Sequence, residues 1–312
     1  MRSKGREMKF VSSVAFYCLF STISTTCIFA EEAFVKASNL NLRNTLGNGK
    51  IIETIPMGKK IKVLVRQNGW AKVTYSNLEG WVSQRYLTSS SFREIQRRYP
   101  RVRDAIAEKG KIVEEILGNF SASSKILIVA YKIERILQIW FLNSQNKQLE
   151  LKKSYEFSGY SGDIGPKRRQ GDLQIPEGFY VIDRFNPNSS FHLSLGINYP
   201  NASDRILGIQ GSLGGDIFLH GSSVTIGCIP ITDDKIKELY LTAVEAKSDG
   251  QNNIPVYIFP CKMNEESCTN ILAENSEYHS FWENIEEGYN LFNENHNFLE
   301  ISIDENGLYH FN

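Results

Sequence analysis

Between Phe34 and Leu87, short apolar runs alternate with turn signals, and no other feature of the chain limits its fold so tightly. The runs are Leu40-Asn41-Leu42-Arg43, Ile51 to Ile55, Ile61 to Val65, Trp70 to Tyr75 and Gly80-Trp81-Val82. Their apolar residues fall largely at alternate positions, the period of a strand with one face in a core and the other in water. Pro56-Met57-Gly58 and Asn68-Gly69 separate runs, and Asn-Gly favours a two-residue hairpin turn. The segment therefore predicts a small antiparallel barrel.

The period changes after residue 89. Phe92, Ile95, Tyr99, Val102 and Ile106 recur at spacings of three and four, which is helical. Pro100 interrupts the pattern, so two short helices or a kink are expected, ending near Gly110. The basic residues here read as the solvated face of a packed helix rather than as a membrane-surface helix. Strand patterns return at Ile126–Tyr131, Ile136–Phe141 and Leu149–Phe157, and Val256–Phe259 closes the sheet. Gly, Pro and charged residues crowd 159–178, a functional rim over a rigid sheet. Lys235 to Val244 places Ile236, Leu239, Tyr240 and Ala243 on one helical face, which Thr232 can cap. The acidic tail from Glu265 carries Phe281, Trp282, Tyr289 and Phe292, a spacing that suggests docking on the domain. The fold class is mainly β with helices, α+β.

Composition narrows function. The 312 residues are 41% hydrophobic, enough for about two packed domains. Residues 1–30 have a basic start, an apolar core from Phe10 to Phe29 and Ala30 before Glu31-Glu32, which describes a secretory signal peptide. An uncleaved membrane anchor is the competing reading, and it offers the chain's sole membrane contact. Without those residues 31 basic and 34 acidic residues remain, and no basic patch argues for nucleic acid. The same removal leaves Cys228, Cys261 and Cys268, an odd number for an oxidising compartment. Cys261 and Cys268 are close enough in sequence to bridge a local loop, although spacing alone does not fix the pairing. The histidines His192, His279, His296 and His310 are too scattered for zinc-ligand spacing, so no metal is expected.

One segment carries chemistry. Ile217-Phe218-Leu219 leads to His220-Gly221-Ser222, and Gly227-Cys228 follows. A thiol attacks as its thiolate, and a nearby imidazole or helix N-terminus lowers its pKa and takes up its proton. The plain alternative is a cysteine that fills the core.

Further motifs stand around this segment: Gly165-Pro166-Lys167, Gly171-Asp172, Pro176-Glu177-Gly178-Phe179-Tyr180, Phe191-His192, Asn198-Tyr199-Pro200-Asn201, Asp204-Arg205 and Thr232-Asp233-Asp234. In this order they resemble the L,D-transpeptidase (YkuD) catalytic domain family, and within it the YafK-like branch. The barrel segment resembles the bacterial SH3-like domain through its Leu40-Asn41-Leu42-Arg43 start, Asn68-Gly69-Trp70 and Gly80-Trp81-Val82. The organisation expected is a signal peptide at 1–30, an SH3-like domain at 33–88 and a helical linker at 89–118. A YkuD-type β-rich catalytic domain at 119–262 and a docking C-terminal extension at 263–312 complete it.

The resemblance implies an exported, periplasmic or cell-envelope enzyme that acts on peptidoglycan stem peptides without a cofactor. Cys228 is then the nucleophile and His220 the general base and acid. The Cys228 N–H, with that of Gly227, is the expected oxyanion donor, while Thr225 and Gly221 support the loop. Lys167, His192 and Ser222 are weaker substrate-binding candidates. In the commoner motif a histidine precedes the Gly-Cys pair and an arginine lies two residues after the cysteine; here Ile226 and Pro230 stand there. Two alternatives stay open: an amidase that releases wall-linked lipoprotein, and a non-catalytic wall-binding protein. The barrel is either a wall-binding module or a folded spacer with a buried Trp81.

Overall fold

The computed structural model describes residues 31–37, 39–118, 125–209 and 211–312; the expected signal segment lies outside the described residues. The first seven strands are β1 (Glu31–Val35), β2 (Asn39–Arg43), β3 (Ile51–Pro56), β4 (Lys60–Gln67), β5 (Trp70–Tyr75), β6 (Leu78–Ser83) and β7 (Leu87–Thr88). They form one sheet in the order β3-β2-β6-β5-β4-β1-β7. Asn68 and Gly69 both take positive φ, 50° and 78°, which matches the twist of the β4–β5 hairpin they close. Val35, Leu42, Ile55, Val73 and Val82 are fully buried in a core of the barrel's own. Trp81 is only half-buried; it sits between buried Gly80 and Val82, where strand alternation turns its ring outward.

Helix α1 (Phe92–Gln96) opens with a capping box in which Ser91 and Glu94 satisfy each other's backbone N–H. Pro100 occupies the first turn of α2 (Pro100–Leu117), where its missing N–H costs nothing, so it starts a helix instead of bending one. The helix does not end near Gly110. Val113 and Leu117 continue the buried stripe begun by Val102 and Ala105, and that burial carries the helix through the glycine.

The second sheet contains β8 (Ile126–Tyr131), β9 (Ile136–Leu142), β10 (Leu149–Glu156), β11 (Gly178–Asn186) and β12 (Ser194–Ile197), followed by helix α3 (Ala202–Leu207). Strands β13 (Phe218–His220) and β14 (Ile229–Pro230), helix α4 (Thr232–Ser248) and β15 (Pro255–Phe259) complete it in the order β10-β9-β8-β15-β11-β12-β13-β14. After it come α5 (Glu266–Ala273), α6 (His279–Asn295) and the hairpin β16 (Ile301–Ile303) with β17 (Tyr309–Phe311). Both faces of the sheet are covered. Along β8, Ile126, Ile128 and Ala130 face a core shared with α2 and α4, while Leu127, Val129 and Tyr131 face one shared with α6 and β17. Helix α4 begins at Thr232 rather than Lys235, and the Thr232 hydroxyl accepts the Lys235 N–H at 3.4 Å. Cys261 and Cys268 are disulfide-bonded just after β15. No helix of the described residues is long and apolar enough to cross a membrane.

One buried ionic knot ties these layers. Lys132 and Glu177 are 0% exposed and 2.8 Å apart. The Lys132 ammonium also donates to the Gly165 and Ile175 carbonyls, at 2.7 and 2.9 Å. Glu177 further accepts the Gly165 N–H at 3.0 Å and the Trp282 indole N–H, from α6, at 2.7 Å. Three donors on the ammonium and three hydrogen bonds to the carboxylate meet the condition under which a buried ion pair persists.

Candidate active site

The last two strands of the sheet are short and parallel, with Leu219 opposite Ile229 and His220 opposite Pro230. Leu219 and Ile229 are fully buried in the core. Successive side chains alternate faces, so Phe218, His220 and Pro230 belong to the opposite face. Cys228 is tied to the strand that carries His220 by the Phe218 N–H, which meets its Sγ. The loop between them contains Gly227, at φ 128°, where a side chain would press on the Gln174 carbonyl at 2.9 Å. Gly221 has no room either: a Cβ there would collide with the Asp233 carboxylate and the Phe191 carbonyl.

Cys228 is the free cysteine among the described residues and is half-buried. Its Sγ accepts the Phe218 N–H at 3.4 Å and donates to the Asp216 carbonyl at 3.6 Å. Burial pushes the thiol pKa up, the Phe218 N–H pulls it down, Asp216 adds to the rise and the Lys167 charge opposes it. The net shift is upward, opposite to the lowering expected from sequence. The helix that follows gives no help, since β14 lies between Cys228 and α4, and Asp233 and Asp234 fill that helix's first turn.

His220 is 1% exposed, and its Nδ1 lies 2.5 Å from the Gly221 carbonyl. That carbonyl can only accept, so it holds the proton on Nδ1 and leaves Nε2 as the basic nitrogen. Burial lowers the imidazole pKa, opposed by the Gly221 hydrogen bond and the Asp233 charge. The Phe191 ring leans over the imidazole with centroids 4.7 Å apart. Resting enzyme therefore holds a neutral thiol beside a neutral imidazole, and no hydrogen bond joins them among the described residues.

Thr225 is a clasp. Its hydroxyl accepts the N–H groups of Gly227 and Cys228, at 3.2 and 2.8 Å, and donates to the Cys228 carbonyl at 2.7 Å. Both N–H groups expected to serve as oxyanion donors are thus occupied by the hydroxyl. Ser222, at φ 61°, donates its N–H to Asp233 at 2.7 Å and accepts the Ser158 hydroxyl at 2.6 Å. Its backbone is thereby anchored from two sides.

Lys167 is buried, with its ammonium on Asp172 at 2.5 Å and on the Arg169 carbonyl at 3.0 Å. Asp172 also accepts the N–H groups of Arg168, Arg169 and Gln174. Lys167 is therefore committed to its own loop instead of being free for a substrate carboxylate, and its charge still reaches Cys228. His192 takes φ 70°, its carbonyl is held by Arg101 at 2.6 Å, and its Nε2 is buried without a hydrogen-bond partner among the described residues. Burial lowers its pKa.

Sequence reasoning named Phe218 and Phe191 only as motif neighbours, gave them no role, and did not single out Asp216 or Ser158. Phe218 acts on the thiol through a main-chain N–H, which any residue type supplies, while Asp216 acts through both its carbonyl and its charge, and only the fold brings that charge near the sulfur. Ile226, at the position of the commoner motif's histidine, is 77% exposed, whereas Pro230 is buried in β14. An arginine has no space at Pro230.

Residues 38–88 match the bacterial SH3 domain family. YafK of Escherichia coli K12, provisionally named an L,D-transpeptidase, is 34% identical over 188 residues, 60% of this chain and 73% of that protein. Among solved structures, the helical cell shape determining protein Pgp2 of Campylobacter jejuni is 22% identical, covering 49% of this chain and 55% of that one, with a TM-score of 0.36. Bd1075 of Bdellovibrio bacteriovorus is 26% identical over 56% of this chain and 64% of that one, with a TM-score of 0.33. Those two scores are too low to carry an argument. The extent and identity of the YafK match decide the matter: the chain belongs to the YafK-like L,D-transpeptidase family of cell-wall enzymes, with a bacterial SH3 domain preceding the shared region.

Proposed function

We propose that the protein is an exported cysteine-dependent L,D-transpeptidase that remodels or cross-links peptidoglycan through a thioacyl intermediate. The observation that carries this reading is the free thiol of Cys228 hydrogen-bonded to the Phe218 N–H of β13, the strand that ends on His220 and its basic Nε2. In the first half-reaction His220 Nε2 takes the Sγ proton as Sγ attacks the stem-peptide carbonyl of the third residue. The amide C–N bond breaks, the proton passes to the leaving nitrogen, and the terminal D-amino acid departs. In the second half an acceptor amine loses a proton to His220 and attacks the thioester, which frees the thiol. The neutral resting pair suits this sequence, because no charge is stored before substrate arrives.

Water in place of the amine makes the protein an amidase that releases wall-linked lipoprotein. One observation favours this second reading: the loop beside Cys228 presents Ile226 to solvent, and an isoleucine cannot hydrogen-bond an incoming amine. Product analysis by mass spectrometry after incubation with defined muropeptides and with lipoprotein-bearing sacculi separates the two. New cross-links or exchanged terminal residues support the transpeptidase. Lipoprotein released without either supports the amidase, and intact substrates throughout leave the wall-binding reading in place.

The barrel's separate core supports a wall-targeting role for residues 31–88. That fragment should sediment with purified sacculi by itself. If it stays in the supernatant while the remainder of the protein sediments, the barrel is a spacer.

A further inference from the structure

Two clefts open where the barrel meets the catalytic domain. One, of about 390 Å³, runs from Asn39 and Met57 of the barrel to Arg184 and Phe218 on the catalytic sheet. The other, of about 760 Å³, lies against the barrel edge that carries Lys59, Lys60 and Lys62. Lys247 and Asn252 line both. The first cleft reaches the nucleophile's own strand pair, since the Phe218 N–H donates to Cys228 Sγ.

The carboxylates on these walls are already spent. Glu32 pairs with Lys60 at 2.6 Å and Asp183 with Arg184 at 3.1 Å. Arg184 is itself engaged a second time, by Asp216 at 2.5 Å. Lys59 and Lys247 have no carboxylate partner among the described residues. The Lys247 ammonium has one carbonyl, that of Asn252, at 3.2 Å, and sits about 6 Å from the rings of Phe92 and Phe185. Burial together with repulsion from Lys59 brings its pKa down to about 8, and burial lowers Lys59 as well. Ring packing accounts for the Lys247 stem. It does not account for two half-buried cations converging on open clefts with their neighbouring anions taken.

We propose that this junction is an anion-binding site that receives carboxylates of a peptidoglycan stem peptide, so that barrel and catalytic domain grip one wall strand together. The proposal rests on the wall-acting reading above. Two lysines offer separate point charges rather than the planar fork that favours bidentate anions, which suits carboxylates spaced along a peptide. The reach to Phe218 places a bound strand on the approach to Cys228.

The test uses mature protein, residues 31–312, carrying Cys228→Ala so that nothing turns over. Calorimetry compares a disaccharide-tetrapeptide muropeptide with the same compound after its carboxyl groups are converted to amides. The acid form should bind about tenfold more tightly or better. Lys59→Gln/Lys247→Gln should erase that preference and Lys247→Arg should keep it, with thermal melting as the check on folding. Lys59→Gln alone, at the half-buried barrel edge, gives a partial loss if the double variant does not fold. Equal binding of the two forms, or a preference that survives undiminished in the folded Gln variants, overturns the proposal. So does deca-glutamate binding as tightly as the muropeptide, which would assign the site to an acidic protein. Wild-type turnover is measured separately: carboxylate preference without turnover sinks the catalytic reading alone, and turnover without preference sinks the junction site alone.

Discussion

Two pairs of ionisable side chains in the larger sheet domain are removed from water, and the fold partners them very differently. Lys132 and Glu177 lie face to face with all three ammonium donors used and three hydrogen bonds to the carboxylate, and the Glu177 charge opposes the downward pull of burial on Lys132. His220 and Cys228 have few partners, and desolvation drives both toward their neutral forms. The difference is in the number of dipoles aimed at each charge, since burial alone penalises all four groups. Where the fold supplies dipoles it obtains a joint between layers; where it withholds them it leaves a thiol and an imidazole that both favour their neutral forms.

The largest expected effect removes the poorly partnered pair. Cys228→Ala should abolish turnover with the melting temperature held, and His220→Ala should cost about 10²–10⁴-fold in kcat/KM. Retention of more than about a tenth of wild-type turnover in either variant breaks the assignment.

The saturated pair should fail in stability instead. Glu177→Gln or Lys132→Met leaves a buried charge alone, costing about 3–5 kcal/mol and on the order of 10 °C in Tm. Trp282→Phe removes one donor from the buried carboxylate and should cost about 1–3 kcal/mol. Unchanged melting curves would place this pair in the same class as the site.

A third measurement sharpens the contrast by titration. Since the Cys228 pKa is raised from its ordinary 9.0, the thiolate fraction falls as pH drops from that range. The His220 pKa lies below its ordinary 6.5, so the imidazole is neutral throughout and adds no inflection. Iodoacetamide labelling of Cys228 should climb roughly tenfold per unit between about pH 7 and about pH 9. A plateau starting below about pH 7 would reveal a resting thiolate-imidazolium pair and break the comparison.

The smallest effect concerns the acceptor. Ile226→His, at an exposed position with no packing to lose, should shift the ratio of aminolysis to hydrolysis by less than about tenfold, since one polar contact is worth about 0.5–1.5 kcal/mol. A larger shift would make position 226 a principal selector of the acceptor.

Much of the barrel was legible because its strands are long enough to show a period of two and its turns carry Asn68-Gly69. The outer edge of the large sheet was not, because β13 has three residues and β14 two, too few for any period. The parallel pairing of β8 with β15 joins segments more than a hundred residues apart, and local pattern is blind to it. Motif order singled out His220 and Cys228, but the sign of the thiol shift depends on how much protein surrounds the sulfur. Lys167 is similar: its charge can be read from the sequence, whereas its commitment to Asp172 is a fact of loop geometry. The aromatic spacing of the tail suggested docking, yet nothing local names Glu177 as the group that Trp282 meets 105 residues away.

That last contact has a consequence in the order of synthesis. The chain is made from its N-terminus, so Lys132, Gly165 and Glu177 all exist before Trp282 does. Glu177, at the end of the loop that carries Lys167, obtains its final hydrogen bond only when the C-terminal helix has been produced and has docked. A nascent chain stopped between Cys228 and α6 holds the thiol and the imidazole but not the Trp282 donor, so a helix made after the candidate site finishes the buried joint.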